Sequence, residues 1–369
     1  MNKRYRLSVS IVGVLFLLTG CTADQRVIGK IGLVNTIGYD AVSGENGHRK
    51  LQATIFVPKI SDAKKNQVLT ATAKSTRDAM FAFTRKTDDI LEMGQIRNVL
   101  FGIDFAKQGI DDMLLNLSNT PTVGARVKVI IVAGTAQEVI GHSFKEYPDA
   151  GQYITRLLKK EFETTDLPET NICSFRRDMY DDGMDAIAPI IKLGKDELII
   201  DGVALFDEDR YMAKLNPEQA SFLYLLNGKL SRGELRLTLP SGDFVSLGNI
   251  DNRRKVTVNL DDPEHFRADV SITVAGEIGD FPVGASPGAK QTQLQFEQAI
   301  AEQIEREAHK VIKLVQSHRV DSIGIGHYVR NKMSYGRWTK LDWGRRYAEM
   351  KISCHVKVKI KSVERIMKG

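Results

Sequence analysis

Several groups of residues in this chain have types and spacings that could do chemistry. Gly284-Ala-Ser286-Pro-Gly288 matches the G-x-S-x-G turn that presents a serine nucleophile. The match fails on mechanism: the residue after the serine must supply an oxyanion-hole N–H, and Pro287 has none to give. No apolar strand leads into the turn either, so it reads as a linker. Asp178, Asp181, Asp182 and Asp185 would share a face if helical and could collect a cation. The alternating ligands and closing glutamate of a calcium loop are missing, which leaves a solvated acidic face. The seven histidines are scattered, no H-E-x-x-H occurs, and neither His318 nor His327 has a cysteine close by to make a zinc site. Gly324-Ile-Gly326 lacks the third glycine and the flanking elements of a dinucleotide loop. Cys354 alternates with Ile352 and Val356, so it reads as a buried thiol and not a nucleophile. No catalytic set, metal site or cofactor site is left, and a binding or assembly role is favoured over an enzyme.

One cysteine does read as reactive. Lys3, Arg4 and Arg6 form a basic head, an apolar run extends from Leu7 to Leu18, and Leu18-Thr19-Gly20-Cys21 closes it. Twelve apolar residues are too few for a bilayer span, which takes about twenty, so residues 1–20 read as a secretory signal. Leucine, a small residue and glycine directly before cysteine form the lipobox of bacterial lipoproteins. The small side chains admit the peptidase, and the Cys21 thiol accepts a thioether-linked diacylglycerol. The competing reading is an uncleaved anchor.

The elements that would carry such a tethered body follow from the bulk numbers and the periodicity. A chain of 369 residues exceeds one ordinary core. Residues 1–20 hold three basic and no acidic side chains, so their removal lowers the formal charge from +6 to +3, too little to argue for nucleic acid. Beyond Cys21 only Cys173 and Cys354 remain, so no disulfide framework is available and stability must come from packing. An opening hairpin is expected from 27–40 and 51–57. A helix capped by Ser75-x-x-Asp78 follows, then a helix over 104–117, a β-rich run at 126–132 and a helix opened by Asp149. Asn216-Pro217-Glu218-Gln219 starts another helix. Short separate strands are expected at 235–239, 244–247, 256–260 and 270–274. Past the breaker 281–288, a long amphipathic helix is expected over 291–316. The final strand alternates apolar and basic residues, with Lys351, Lys357, Lys359 and Lys361 on the outer side. Those lysines could touch anionic headgroups, but a solvated face is the commoner case. The fold class is α+β, mixed α/β and multidomain. The parts expected are signal 1–20, an N-terminal α/β domain 21–193, a strand-rich middle domain 194–280 and a C-terminal domain 281–369, with 194–369 as one C-terminal region in the coarser division.

With these features in order, the chain resembles the Ger(x)C family, the lipoprotein C subunits of spore germinant receptors. The resemblance rests on Cys21, Ile37-Gly38-Tyr39-Asp40, Ser75-Thr76-Arg77-Asp78-Ala79 and Asn98-Val99-Leu100-Phe101-Gly102. It continues through Leu198 to Phe206 with its Asp201-Gly202-x-Ala204-x-Phe206 core, Lys214 to Leu226, Asp321 to Gly326, Trp338 and Asp342-Trp343. What it implies is a three-domain α/β lipoprotein anchored through Cys21 to the outer face of the cell membrane, in spores the inner membrane. The partners it implies are an integral A subunit and a transporter-like B subunit, and the function a response to small nutrients without catalysis or cofactor. It leaves open whether this subunit touches the germinant. Trp338 and Trp343 are expected in the core in preference to a partner contact. The alternative is a solute-binding lipoprotein of a transporter, which predicts two similar lobes around a pocket.

Overall fold

The computed structural model describes residues 30–42, 50–59, 66–164, 167, 169–230, 233–240, 242–279 and 290–363. Residues 1–20, expected to be a signal, Cys21 and the G-x-S-x-G match at 284–288 lie outside them.

The first half builds one large sheet. Its strands are Ile31–Leu33 (β1), Thr36–Val42 (β2), Lys50–Val57 (β3), Gln67–Ala73 (β4), Ile90–Glu92 (β5), Asn98–Gly102 (β6), Lys128–Val132 (β7), Ile187–Leu193 (β8), Leu198–Asp207 (β9) and Arg210–Leu215 (β10). Eight of these pair in the order β10-β9-β8-β7-β6-β2-β3-β4, while β1 and β5 form a small parallel pair. The centre, β8-β7-β6-β2, is parallel and the flanks are antiparallel. Parallel strands are covered on both faces and so read as unbroken apolar runs. Residues 98–102 are accordingly all buried.

Helices cover both faces. On one lie Thr76–Thr84 (α1), Ile103–Ala106 (α2), Asp111–Ser118 (α3) and, numbered in chain order, Ile172–Tyr180 (α6), which bury Phe83, Phe105, Leu114 and Phe175. On the other lie Ala136–Gly141 (α4) and Ala150–Thr164 (α5), which bury Val139, Ile154 and Leu158. The helix expected across 104–117 is broken in two. Gly109 sits at φ +106, and Ile110 N–H is turned to the Asp209 carbonyl at 3.1 Å.

The second half adds Pro217–Leu226 (α7), Leu235–Thr238 (β11), Phe244–Asn259 (β12), Arg267–Ile278 (β13) and Lys290–Ser317 (α8). It closes with Gly326–Arg330 (α9), Tyr335–Trp338 (α10), Trp343–Glu349 (α11) and Lys351–Val363 (β14). Its sheet has the order β11-β12-β13-β14, with β14 parallel to β13. The two strands expected at 244–247 and 256–260 are one sixteen-residue strand, which absorbs its irregularity at Asn249, φ +49. The long helix α8 extends ~42 Å and buries Ile300, Ile304, Ala308, Val311 and Val315 against that sheet. Two of its carboxylates close the sheet edge: Glu305 accepts Val356 N–H at 2.7 Å and Glu297 accepts Ile360 N–H at 2.9 Å.

The boundaries expected at 193/194 and 280/281 do not separate cores. Leu193 pairs with Leu198 within the large sheet, and β9 and β10 complete that sheet. Strands from before and after the 281 breaker share the second sheet, because α8 needs it to bury its apolar stripe. Helix α7 has buried residues at Ala220 and from Phe222 to Leu226 and lies in a core that also takes in Leu205 and Leu215 of the first sheet.

A bulge in β9 explains one of the family-like motifs. Ile190 pairs with Gly202 and Ile191 with Ile200, so Asp201 is the extra residue. Its carboxylate lies 3.0 Å from Lys192 and 2.6 Å from Lys214. Gly202 takes φ +114, and a Cβ there would collide with the Leu215 carbonyl oxygen. Gly202→Ala is expected to lower stability by roughly 2–3 kcal/mol. Chemical denaturation reads this directly, and an unchanged midpoint would contradict it.

Candidate functional surfaces

The acidic residues singled out in the sequence do not form one helical face. Helix α6 ends at Tyr180, after which the chain turns across the joint between the two sheets. Asp178 remains on the helix with Arg177, its Oδ1 2.6 Å from the guanidinium, and Lys229 lies 3.8 Å from its other oxygen. Asp181 reaches across to α9, 2.8 Å from Arg330 and 3.0 Å from His327. Burial pushes the Asp181 carboxyl up, but the Gly183 N–H, His327 and Arg330 outweigh that and hold it below the usual carboxylate range. Gly183 packs on the Gly326–His327 backbone, where a Cβ would lie 2.6 Å from the His327 nitrogen.

Asp185 and Asp321 make the centre of this joint. Asp321 is fully buried and accepts the N–H groups of Gly324 at 2.9 Å, Ile325 at 3.0 Å and Gly326 at 2.6 Å. It also accepts Trp343 Nε1 at 3.2 Å. Gly324 at φ +78 gives the loop the curvature that aims these donors inward. The Gly324-Ile-Gly326 stretch is therefore a cradle for the chain's own carboxylate. The Asp185 carboxylate in turn accepts the Asp321 N–H. Burial raises both carboxyls, Asp321 to about 8 with Asp185 adding to the push, and Asp185 to about 7 with Asp207 and Glu208 adding to it. Sequence reasoning missed this pair; the available signal was a lone acidic residue before two glycines inside an apolar stretch.

Beside the joint opens a cleft of about 690 Å³, lined by Asp111, Asp112, Asp181, Asp182, Asp185, Asp207, Glu208 and Asp209, with Arg210 and Arg319. Its field attracts cations. Half of its carboxylates are engaged within the protein: Asp181 and Asp185 as described, Asp209 by accepting Asp111 N–H at 3.1 Å, and Asp111 by accepting the Tyr180 O–H at 2.5 Å. Among the described residues no three His, Cys, Asp or Glu side chains are grouped to hold a metal ion.

The other motif residues have structural roles. Asp40 accepts Ala136 N–H at 2.7 Å and Gln137 N–H at 2.9 Å and so caps α4. Gly102 leaves room for that carboxylate, and at Gly38 a Cβ would lie 2.6 Å from Ala136 Cβ. Trp338 is buried and tilts against Trp343 at 5.4 Å, while Trp343 stays partly buried and holds Asp321. Cys354 is buried, which pushes its thiol up to about 12, the state of an unreactive sulfur. Cys173 is exposed.

Residues 24–193 match the spore germination protein N-terminal domain, and residues 201–364 match the spore germination B3/GerAC-like C-terminal region. The chain belongs to the Ger(x)C family, the C-subunit family of spore germinant receptors. It is 23% identical to spore germination protein GerQC of Bacillus cereus over 94% of this chain and 97% of that one. To the putative spore germination protein YfkR of Bacillus subtilis (strain 168) it is 21% identical, covering 65% of this chain and 66% of the relative. The crystal structure of the GerBC protein shares its fold, with TM-score 0.55 at 14% identity over 88% of this chain and 97% of that one.

Proposed function

We propose that the protein is a non-enzymatic C subunit of a spore germinant receptor, tethered through lipidated Cys21 and assembling with integral A and B subunits to trigger germination by small nutrients. The observation that carries this reading is the likeness to GerQC along nearly the whole of both chains. The lipobox supports the tether: Cys21 stands nine residues before Lys30, where the described body begins. Nine residues span at most ~30 Å, so the body stays next to the membrane surface. Tethering raises its local concentration there, and weak contacts with integral partners then suffice. A solute-binding lipoprotein would show two similar lobes, whereas here an eight-stranded mixed sheet stands beside a four-stranded one.

The test is chemical crosslinking in spore membranes followed by identification of the attached chains. Polytopic A-like and B-like subunits are the expected products. Recovery of the protein without either of them, or turnover of a substrate by the isolated body, would overturn the assignment.

A further inference from the structure

The outer face of the second sheet is open and carries an unpaired block of positive charge. Register places Arg253 of β12 opposite Thr273 of β13, and Thr273 opposite Lys357 of β14. One pleat along, Lys255, Ser271 and His355 align in the same way, and Lys359 lies beside Ala275. Arg253, Lys255, His355, Lys357 and Lys359 are exposed, while Ile272, Val274, Val356 and Val358 point the other way into the core. Strand spacing puts the two rows ~10 Å apart, with ~7 Å between successive outward side chains along each. The strand between them contributes only Ser271, Thr273 and Ala275, so the floor is flat. Among the described residues none of the five basic side chains enters an ion pair or hydrogen bond. Two exposed carboxylates border this block, Asp251 beside Ala275 and Asp269 beside Ser353, one pleat beyond Ser271; past Asp269 the exposed pair Arg267 and Lys351 continues the positive charge.

We infer that this face lies on anionic phospholipid headgroups of the membrane that holds the lipid anchor. The inference rests on the tether reading above, which puts the body at a bilayer surface. Three features favour a lipid surface over a protein partner. Protein interfaces are anchored by Trp, Tyr and Arg seated in closely packed pockets, and this face offers no aromatic side chain and, beside Arg253, only the flat floor of Ser271, Thr273 and Ala275. Strand addition at the neighbouring edge is obstructed, because Glu297 and Glu305 already take the Ile360 and Val356 N–H groups. Flexible lysines and arginines without fixed partners match a fluid array of negative headgroups, which demands no single geometry.

The experiment uses the chain from residue 21 onward with Cys21→Ala, which keeps every described element and removes the acyl chains from the measurement. Its partition is read by co-sedimentation with phosphatidylcholine vesicles, with and without phosphatidylglycerol, at low salt. Binding to the phosphatidylglycerol vesicles alone is expected. Lys255→Gln, Lys357→Gln and Lys359→Gln combined should weaken it by about tenfold or more. The same change in net charge elsewhere, Lys74→Gln, Lys107→Gln and Lys145→Gln combined, should change it by less than about twofold. Equal binding to both vesicle types, no loss in the first triple variant, or equal loss in both would overturn the inference. Because no lipid is attached in this assay, failure here leaves the tether standing, and failure of the tether leaves this result readable.

Discussion

Cys21→Ala is expected to deplete the protein from spore membranes by about tenfold or more while leaving its body folded. The size of the effect follows from anchor arithmetic: one acyl chain gives marginal, reversible membrane binding, and a diacylglyceryl pair gives stable attachment. Without it, the body must find its integral partners from solution, and the effective-concentration advantage is lost. Nutrient germination should fall with the membrane-bound fraction. The described core is built from residues 30–363, and thermal unfolding of the variant is expected to match the parent. Normal membrane retention together with normal germination would count against the tether.

Asp321→Ala is expected to remove roughly 3–5 kcal/mol of stability. The carboxylate is the shared acceptor for three backbone N–H groups and for Trp343 in a fully buried loop. Truncation leaves all four donors dry and unpaired. Asp321→Asn keeps the volume and one acceptor oxygen, so its loss should be smaller, about 1–2 kcal/mol. The pH dependence carries a definite sign. Both Asp185 and Asp321 have folded values raised above the ordinary carboxyl value, to about 7 and about 8. Their contribution is fully present below the unfolded value and is lost as pH rises through the folded ones. The parent's melting temperature should therefore fall between about pH 4 and about pH 8, and Asp321→Asn should flatten that slope. A slope unchanged by the substitution would show that the pair does not control the joint.

Much of the local structure is legible in the sequence because its signals are local. Ser75 accepts Asp78 N–H at 3.2 Å, and Asn216 and Gln219 exchange both capping bonds at 2.8 and 3.0 Å. The alternation from Ile352 to Val358 marks the face that β14 buries. What the sequence does not disclose is non-local. The pairing of Leu193 with Leu198 continues a sheet across an apparent boundary, and nothing in the four intervening positions announces that β8 already has β7 as its other neighbour. The break between α2 and α3 depends on the Asp209 turn, about a hundred residues away. The acidic run from Asp178 to Asp185 looks like one solvated face only if it is helical. In fact it divides between a helix, a set of charge pairs to α9 and a buried contact with Asp321. Likewise the lysine row of β14 gains its meaning from Arg253 and Lys255, which lie two strands away and about a hundred residues earlier.

The most direct test of a lipid-tethered germination subunit is mass spectrometry of the mature amino terminus isolated from spore inner membranes. The account predicts a chain beginning at Cys21 with diacylglycerol on its sulfur. A chain that retains residues 1–20, or a processed chain whose Cys21 thiol is free, would contradict it.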